Sequence, residues 1–169
     1  MSDILTVNYL HKNKVDGDLV EQFITQWFSE YNKGEGVIRS SLSNQTQSHW
    51  EALLTDAKQG KLNDWQKTPP GRMSLILLLG PVAHLLADSD VTELNRRARD
   101  LCIQGVDLGF DTQLDLVQRR CFYDPLFYSS VAKDRELLLR LLEGMQSQAE
   151  LPEKTVWSNW YAQASSLSS

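Results

Sequence analysis

The fold is decided by residues 68–81, which read TPPGRMSLILLLGP. Thr68 can cap a helix, and Pro69 can stand at its first position, where a missing backbone N–H costs no hydrogen bond. Every residue from Leu75 to Leu79 is apolar, so this helix has no side suited to water and belongs inside a packed domain. Gly80-Pro81 predicts a kink or a break after it, because proline removes an interior hydrogen bond.

Apolar residues recur at helical spacing on the N-terminal side of this segment. A first helix is predicted to begin at a cap on Asp18 and to end at Gly34 and Gly36. A second helix is predicted from about residue 43 or 44 to Gln59. The stretch from Leu5 to Tyr9 resembles a strand, and a single strand cannot form a sheet.

The C-terminal side continues the helical pattern. Asp90 and Glu93 have capping-box spacing at the start of one helix, whose inward positions are predicted to extend to Leu108. Another helix is predicted to end or bend at Asp124, because Pro125 disfavours helical geometry in the residue before it. The last predicted elements are a helix over 132–148 and a short helix that carries Trp157, Trp160 and Tyr161.

These patterns predict an all-α fold, an array of seven or eight antiparallel helices in a single domain. Within it we expect an N-terminal extension over 1–17 and a helical domain over 18–149. Residues 150–169 are expected to form a C-terminal helix and a serine-rich tail that frays from Ser165 onward.

Composition and charge limit the classes of partner. The 169 residues include 17 Lys and Arg against 22 Asp and Glu, and the net charge of −5 gives no general attraction to nucleic acid or anionic lipid. The longest apolar run is far shorter than the roughly 20 residues that cross a bilayer. The first ten residues lack the basic and then apolar pattern of a secretion signal. We therefore expect a cytoplasmic protein that binds neither nucleic acid nor membranes.

Motifs for metals and cofactors are missing from the sequence. His11, His49 and His84 lie far apart, and the two cysteines are too few for a four-thiolate zinc site or a disulfide framework. No glycine-rich phosphate loop follows a predicted strand. The sequence therefore predicts no metal site and no cofactor, and a reducing compartment suits its thiols.

Three stretches carry a family resemblance: FITQWF at 23–28, GKLNDW at 60–65 with PGRMSLILLL at 70–79, and GFD at 109–111 with CFYDPL at 121–126. Their order and spacing resemble the bacterial protein family of unknown function numbered 924, over about residues 19–145. The resemblance implies a tetratricopeptide-like arrangement of helices. It supplies no established reaction.

The chain departs from that family at two motifs. Where the family has Asp-Gln-Phe-Pro-Arg-Asn, residues 80–85 read GPVAHL. Where the family has Pro-Leu-Glu-His-Ser-Glu, residues 125–130 read PLFYSS, and of the polar residues only Ser129 is kept. The resemblance implies that a pocket at this place either has a new lining or has closed and become core.

Two groups of side chains are candidates for a site beside these motifs. His84 is expected on a buried helix, where its imidazole could act as a general base or hydrogen-bond a ligand. The alternative is a structural histidine, satisfied by a carbonyl that the proline frees. Tyr123, Asp124, Tyr128 and Ser129 follow one another around a proline-bent helix end and could converge on a pocket. The alternative makes Asp124 a turn residue and the tyrosine rings part of the core.

Arginines are candidate anchors for an anionic group. Arg72 and Arg119 are the candidates, and Arg119 and Arg120 are not expected both to face inward because they are neighbours on one helix. Arg96, Arg97 and Arg99 are expected to cover a helix surface and to pair with acidic neighbours.

Two hypotheses of function follow from these patterns. The first is a cytoplasmic helical binding protein that holds a small molecule, a peptide or a partner protein between its helices. The alternative is a small metal-independent enzyme that acts on a hydrophobic or aromatic metabolite, with His84, Tyr128 and Ser129 as acid–base or polar pocket groups. The aromatic face of the last helix either seals the protein's own array or docks onto a partner protein.

Overall fold

The computed structural model describes residues 2–32, 37–87, 89–146 and 151–167. These residues form an all-α single domain without a strand among them, so the predicted fold class is confirmed. The helices are α1 (Ser2–Tyr31), α2 (Asn44–Lys58), α3 (Pro69–Leu77), α4 (Ala83–Leu86), α5 (Thr92–Asp107), α6 (Leu116–Phe122), α7 (Asp124–Phe127), α8 (Ala132–Met145) and α9 (Leu151–Leu167).

The central helix is α3, and every residue from Gly71 to Leu79 is buried. Thr68 caps it as predicted, since its hydroxyl accepts a hydrogen bond from the backbone N–H of Gly71. The helices α1, α5, α6 and α7 all contact α3. Because α3 is apolar on all sides, it must be enclosed on all sides, and the other helices are arranged around it.

The predicted break at Gly80-Pro81 does not occur, and helical structure continues through both residues. A π-helical turn, Leu78–Val82, joins α3 to α4 and contains Pro81. Its wider i-to-i+5 pattern accommodates a residue that has no N–H to give. Within this turn Gly80 faces α5 and α7, since a Cβ added to it would lie 4.0 Å from Ala98 Cβ and from Asp124 Oδ2.

Two predictions about α1 are wrong. The helix begins at Ser2 and includes Leu5–Tyr9, so the strand-like interpretation fails, and Asp18 lies inside the helix and does not cap it. A short apolar stretch without a partner strand satisfies its backbone only by continuing a helix. The predicted stop at Gly34 and Gly36 lies outside the described residues. The proposed boundary between 1–17 and 18–149 falls within α1 and stays a prediction.

The stripe predicted on α2 is confirmed, and the start of α5 is corrected. Trp50, Leu53, Leu54 and Ala57 are the buried residues of α2. The α5 helix begins at Thr92, and Asp90 accepts hydrogen bonds from the N–H and hydroxyl of Thr92, 2.9 and 2.6 Å away. An aspartate that bonds two residues ahead forms a turn before a helix, so no capping box with Glu93 arises.

The α9 helix packs on α8 within the same chain. The indole Nε1 of Trp157 donates to the carbonyl of Leu142 at 2.7 Å, and the Tyr161 hydroxyl donates to Glu143 at 3.0 Å. Trp160 is buried. The aromatic face of α9 therefore seals the protein's own array. Residues 165–167 are helical, Ser168 and Ser169 lie outside the described residues, and the fraying of the tail stays a prediction.

Two glycines give opposite expected effects on stability. A Cβ at Gly105 in α5 would lie 2.4 Å from Phe122 Cζ and 2.8 Å from Arg72 Cδ, so Gly105→Ala should lower the free energy of unfolding by about 2 kcal/mol. A Cβ at Gly17 in α1 meets nothing within 4 Å, so Gly17→Ala should raise it by up to about 1 kcal/mol. Urea unfolding followed by circular dichroism measures both. No gain from Gly17→Ala would contradict a helix that continues through residue 17.

Candidate functional site

A groove of about 990 Å³ lies between the C-terminal half of α1, the π-helical turn with α4, the first half of α5 and the corner where α6 meets α7. Residues of both motifs at which the chain departs from the family that it resembles line this groove. Gly80, Pro81 and His84 lie along one side, and Pro125 with residues 128–130 lies along another. The place of these motifs has therefore not closed into core and forms an open groove.

The floor of the groove is formed by small and buried residues. Trp27, Ala98 and Cys121 are buried there. A Cβ added to Gly80 would still lie 4.0 Å from the nearest atoms, Ala98 Cβ and Asp124 Oδ2. Small side chains at positions 80 and 98 therefore leave free space directly beside the Asp124 carboxyl group.

Arg120 and Asp124 form a loosely bonded ion pair at this floor. Arg120 Nη1 lies 3.4 Å from Asp124 Oδ1, longer than the roughly 2.7–2.9 Å of a strong charge-assisted hydrogen bond. The guanidinium lies 3.7 Å from the centre of the Phe127 ring. Its buried Nε has no hydrogen-bond partner among the residues that the structure describes. Part of the bonding capacity of Arg120 is thus unused.

Both Arg119 and Arg120 are buried, so the expectation that only one faces inward is wrong. Neighbouring residues on a helix point about 100° apart, and α6 is enclosed on both of the sides concerned. Arg120 reaches the groove, while Arg119 donates to the Tyr123 hydroxyl at 2.9 Å on another side of α6. Adjacent cations are compatible with burial here because each meets a different acidic or aromatic partner.

Burial governs the titration of the groove's inner groups. Burial raises the pKa of Asp124, and the neighbouring side chains of Arg120 and His84 oppose that rise only in part. Burial also raises the pKa of the Cys121 thiol to about 12. At neutral pH this cysteine is therefore a thiol and not a nucleophilic thiolate.

His84 is exposed at the rim of the groove, so its predicted burial is wrong. Its Nε2 lies 2.9 Å from Nδ2 of Asn95, and the side-chain amide can donate to the neutral imidazole. The alternative was that His84 bonds to a backbone carbonyl freed by Pro81. The contact observed is with the Asn95 side chain instead. The extra residue in the π-helical turn rotates α4 relative to an unbroken helix, and this brings His84 to the groove.

The hydroxyl of Ser129 is engaged at the start of α8, next to the ion pair that joins α8 to α5. It donates to Asp134 Oδ2 at 2.6 Å and accepts from the backbone N–H of Val131 at 3.1 Å. Arg99 on α5 donates to both oxygens of the same carboxylate, at 2.6 and 2.9 Å. Arg99 thus pairs with a buried acid 35 residues away, a contact that local spacing did not indicate.

The remaining candidate residues divide between two places. Tyr128 lies at the rim of the groove with 74% of its surface exposed, in the same lining as His84, Asp124 and Ser129. Tyr123 instead donates a short hydrogen bond to buried Asp111 and accepts from Arg119. Arg72 donates to the carbonyls of Gln66 and Leu101, at 3.0 and 3.1 Å. Arg72, Arg119 and Tyr123 therefore bond within the fold and do not line the groove.

Within the described ranges, no group of three His, Cys, Asp or Glu residues is arranged to hold a metal ion. Across the same part of the chain, no helix is both long and apolar enough to span a bilayer. The site is thus built from arginine, aromatic, carboxyl and imidazole groups.

The Arg99–Asp134 pair yields a test of how the groove is held together. Asp134→Asn should lower the free energy of unfolding by about 2 kcal/mol at neutral pH, because Arg99 loses a buried charged partner. Hydrogen bonds from Arg99 lower the pKa of Asp134, so its stabilisation is present above about pH 4 and is lost as pH falls through that lowered pKa. Denaturant unfolding should therefore show a smaller difference between wild type and variant in acid.

Asp100→Asn is the matched control for that test. Asp100 also lies near Arg99, at 3.7 Å, but its side chain is 55% exposed, and its loss should cost less than about 0.5 kcal/mol. Equal costs for the two substitutions would contradict the role given to Asp134.

Comparison with known proteins gives a family and nothing finer. A family model described as "Bacterial protein of unknown function (DUF924)" matches residues 13–167. This match is longer at both ends than the resemblance over 19–145, and it includes α9. No curated protein and no solved structure matches the chain. Since the family model covers nearly all of the sequence, the chain belongs to this bacterial family of unknown function.

Proposed function

We propose that this protein binds a small organic molecule in the groove between α1, the π-helical turn, α5 and the α6–α7 corner. The observation that carries the proposal is the groove itself, whose volume of about 990 Å³ lies at the upper end of the roughly 300–1,000 Å³ of small-molecule sites. Its concave shape suits a ligand that is enclosed on several sides. A peptide or a protein partner is the less favoured occupant.

The lining has the composition expected of a small-molecule site. Trp27, Tyr31 and Tyr128 supply aromatic surface, and polar and charged side chains lie in the same lining. Asn95 Oδ1 is buried without a hydrogen-bond partner among the described residues, as is Arg120 Nε. Incompletely bonded polar groups in an aromatic groove support ligand recognition, since each is costly while it stays unpaired.

The contacts of the predicted acid–base groups favour a binding function over catalysis by those groups. The Ser129 hydroxyl already bonds to Asp134, and Tyr128 lies mostly in solvent. One observation favours a metal-independent enzyme as the second candidate: Asp124, whose pKa burial raises, lies within electrostatic reach of His84. Recovery of a bound ligand unchanged, or of a product, separates the two functions.

The cellular compartment is part of the same proposal. Cys102 and Cys121 are both buried and not joined in a disulfide. Free buried thiols are typical of proteins in reducing compartments, and this supports the cytoplasm.

A thermal-shift screen against a metabolite library tests the proposal. A ligand that binds only the folded protein raises the melting temperature by mass action. Tyr128→Ala should weaken binding of each hit about fivefold, because an aromatic contact at the rim is lost, while the exposure of Tyr128 keeps the fold intact.

Leu108→Ala is the matched control, since Leu108 is also a large exposed apolar residue, 58% exposed, and lies outside the groove lining. It should leave the affinity for every hit unchanged. Hits that respond alike to the two substitutions, or a screen that yields none, would contradict a small-molecule site in this groove.

A further inference from the structure

Charged side chains in the groove are mostly cationic, although the whole chain carries a net charge of −5. Arg96, Arg99 and Arg120 line the groove, and Asp124 is the one carboxylate among its described lining residues. The acidic partners of the first two arginines, Glu93 and Asp134, do not belong to that lining. Arg96 and Arg99 are thus already closely paired, and Arg120, whose ion pair is longer and whose Nε has no partner among the described residues, is the arginine of the groove with unused bonding capacity.

We infer that the ligand is a small aromatic molecule with a single carboxylate-type acidic group, and that this group binds beside Arg120 at the floor of the groove. The inference rests on the proposed function and names its ligand class. Three features of the floor support it: an arginine with an unpaired Nε and a long ion pair, room left by Gly80 and Ala98 on the Asp124 side of that ion pair, and aromatic surface nearby.

Arg120 has hydrogen-bonding capacity that its contacts within the fold do not use. Its side chain is only 10% exposed, its Nε has no partner among the described residues, and its Nη1 contact with Asp124 is 3.4 Å long. A guanidinium presents paired N–H groups that match the two oxygens of a carboxylate. Stacking on Phe127 holds the plane of the guanidinium and does not use those N–H groups.

Asp124 competes only weakly with a ligand carboxylate for hydrogen bonds from Arg120. Its carboxyl group is desolvated, and burial raises its pKa, so the folded protein stabilises its charge poorly. The missing side chain of Gly80 leaves space on the same side, since even an added Cβ would remain 4.0 Å from Asp124 Oδ2. There is therefore room for one further carbon atom beside the pair without displacement of a helix, and we expect the ligand's acidic group to approach from this side.

The remainder of the ligand would lie against aromatic surface. Trp27 at the floor, Tyr31 beside it and Tyr128 at the rim all line the groove. Ring faces of this kind stack on other rings and exclude water from the charged end, which strengthens the contact with Arg120.

Isothermal titration of the 169-residue protein with three naphthalene probes of matched shape tests the inference. The probes are 1-naphthaleneacetate, its neutral amide 1-naphthaleneacetamide, and the cation 2-(1-naphthyl)ethylammonium. At low ionic strength the carboxylate should bind at least roughly tenfold more tightly than the amide, and the cation should bind most weakly. Added salt should weaken binding of the carboxylate probe and leave binding of the amide probe unchanged.

Asp124→Asn gives a change of defined sign. Removal of the nearby negative charge should tighten binding of the carboxylate probe by about fivefold and leave binding of the amide within twofold. Asp107→Asn removes the same charge from an exposed position outside the groove and should change neither affinity. A circular dichroism melt of each variant establishes that it is folded before titration.

The outcomes separate the inference from the proposed function. If the amide or the cation binds as tightly as the carboxylate, and Tyr128→Ala weakens that binding, the groove is a small-molecule site and the acidic ligand class is wrong. If none of the probes binds while the metabolite screen finds hits in the groove, the ligand class is wrong as well. If neither the probes nor the screen gives binding sensitive to Tyr128→Ala, both proposals fail.

Discussion

The burial of α3 on all sides is the constraint on which the rest of the structure depends. Residues 71–79 are all buried, and each side of this helix needs a neighbour to cover it. The helices α1, α5, α6 and α7 provide that cover. The groove arises where the cover ends, at the π-helical turn, because Gly80 is too small to fill the space between α5 and α7. The site is thus a direct product of how the central helix terminates.

Much of the fold is predictable from the sequence because the signals are local. The buried stripe of α2 and the Thr68 cap depend on residues within a turn or two of one another. The end of a helix near Asp124 is also predictable, although α6 ends at Phe122 and Asp124 is itself the first residue of α7. The start of α1 was predicted wrongly because local signals were used alone. Asp18 has the chemistry of a cap, but no neighbouring residue indicates that the helix begins 16 residues earlier, at Ser2.

The site was predicted only in part, since it depends on contacts between distant residues. The groove brings together His84, Asp124, Tyr128 and Ser129, as the sequence suggested, but the partners of these groups were not visible in it. Arg99 meets Asp134 across 35 residues, and no spacing rule reports such a pair. The exposure of His84 depends on the π-helical turn, which holds one residue more than an α-helical turn and shifts the 3.6-residue pattern by about 100°.

Position 80 also determines how readily the specificity of this scaffold could change during evolution. The residue lines the groove, and the site of its absent Cβ touches its neighbours only at ordinary van der Waals distance. A methyl group added there would subtract volume from the groove without a clash with Ala98 or Asp124. If the groove holds the proposed ligand, the side chain at this position therefore sets how large that molecule can be.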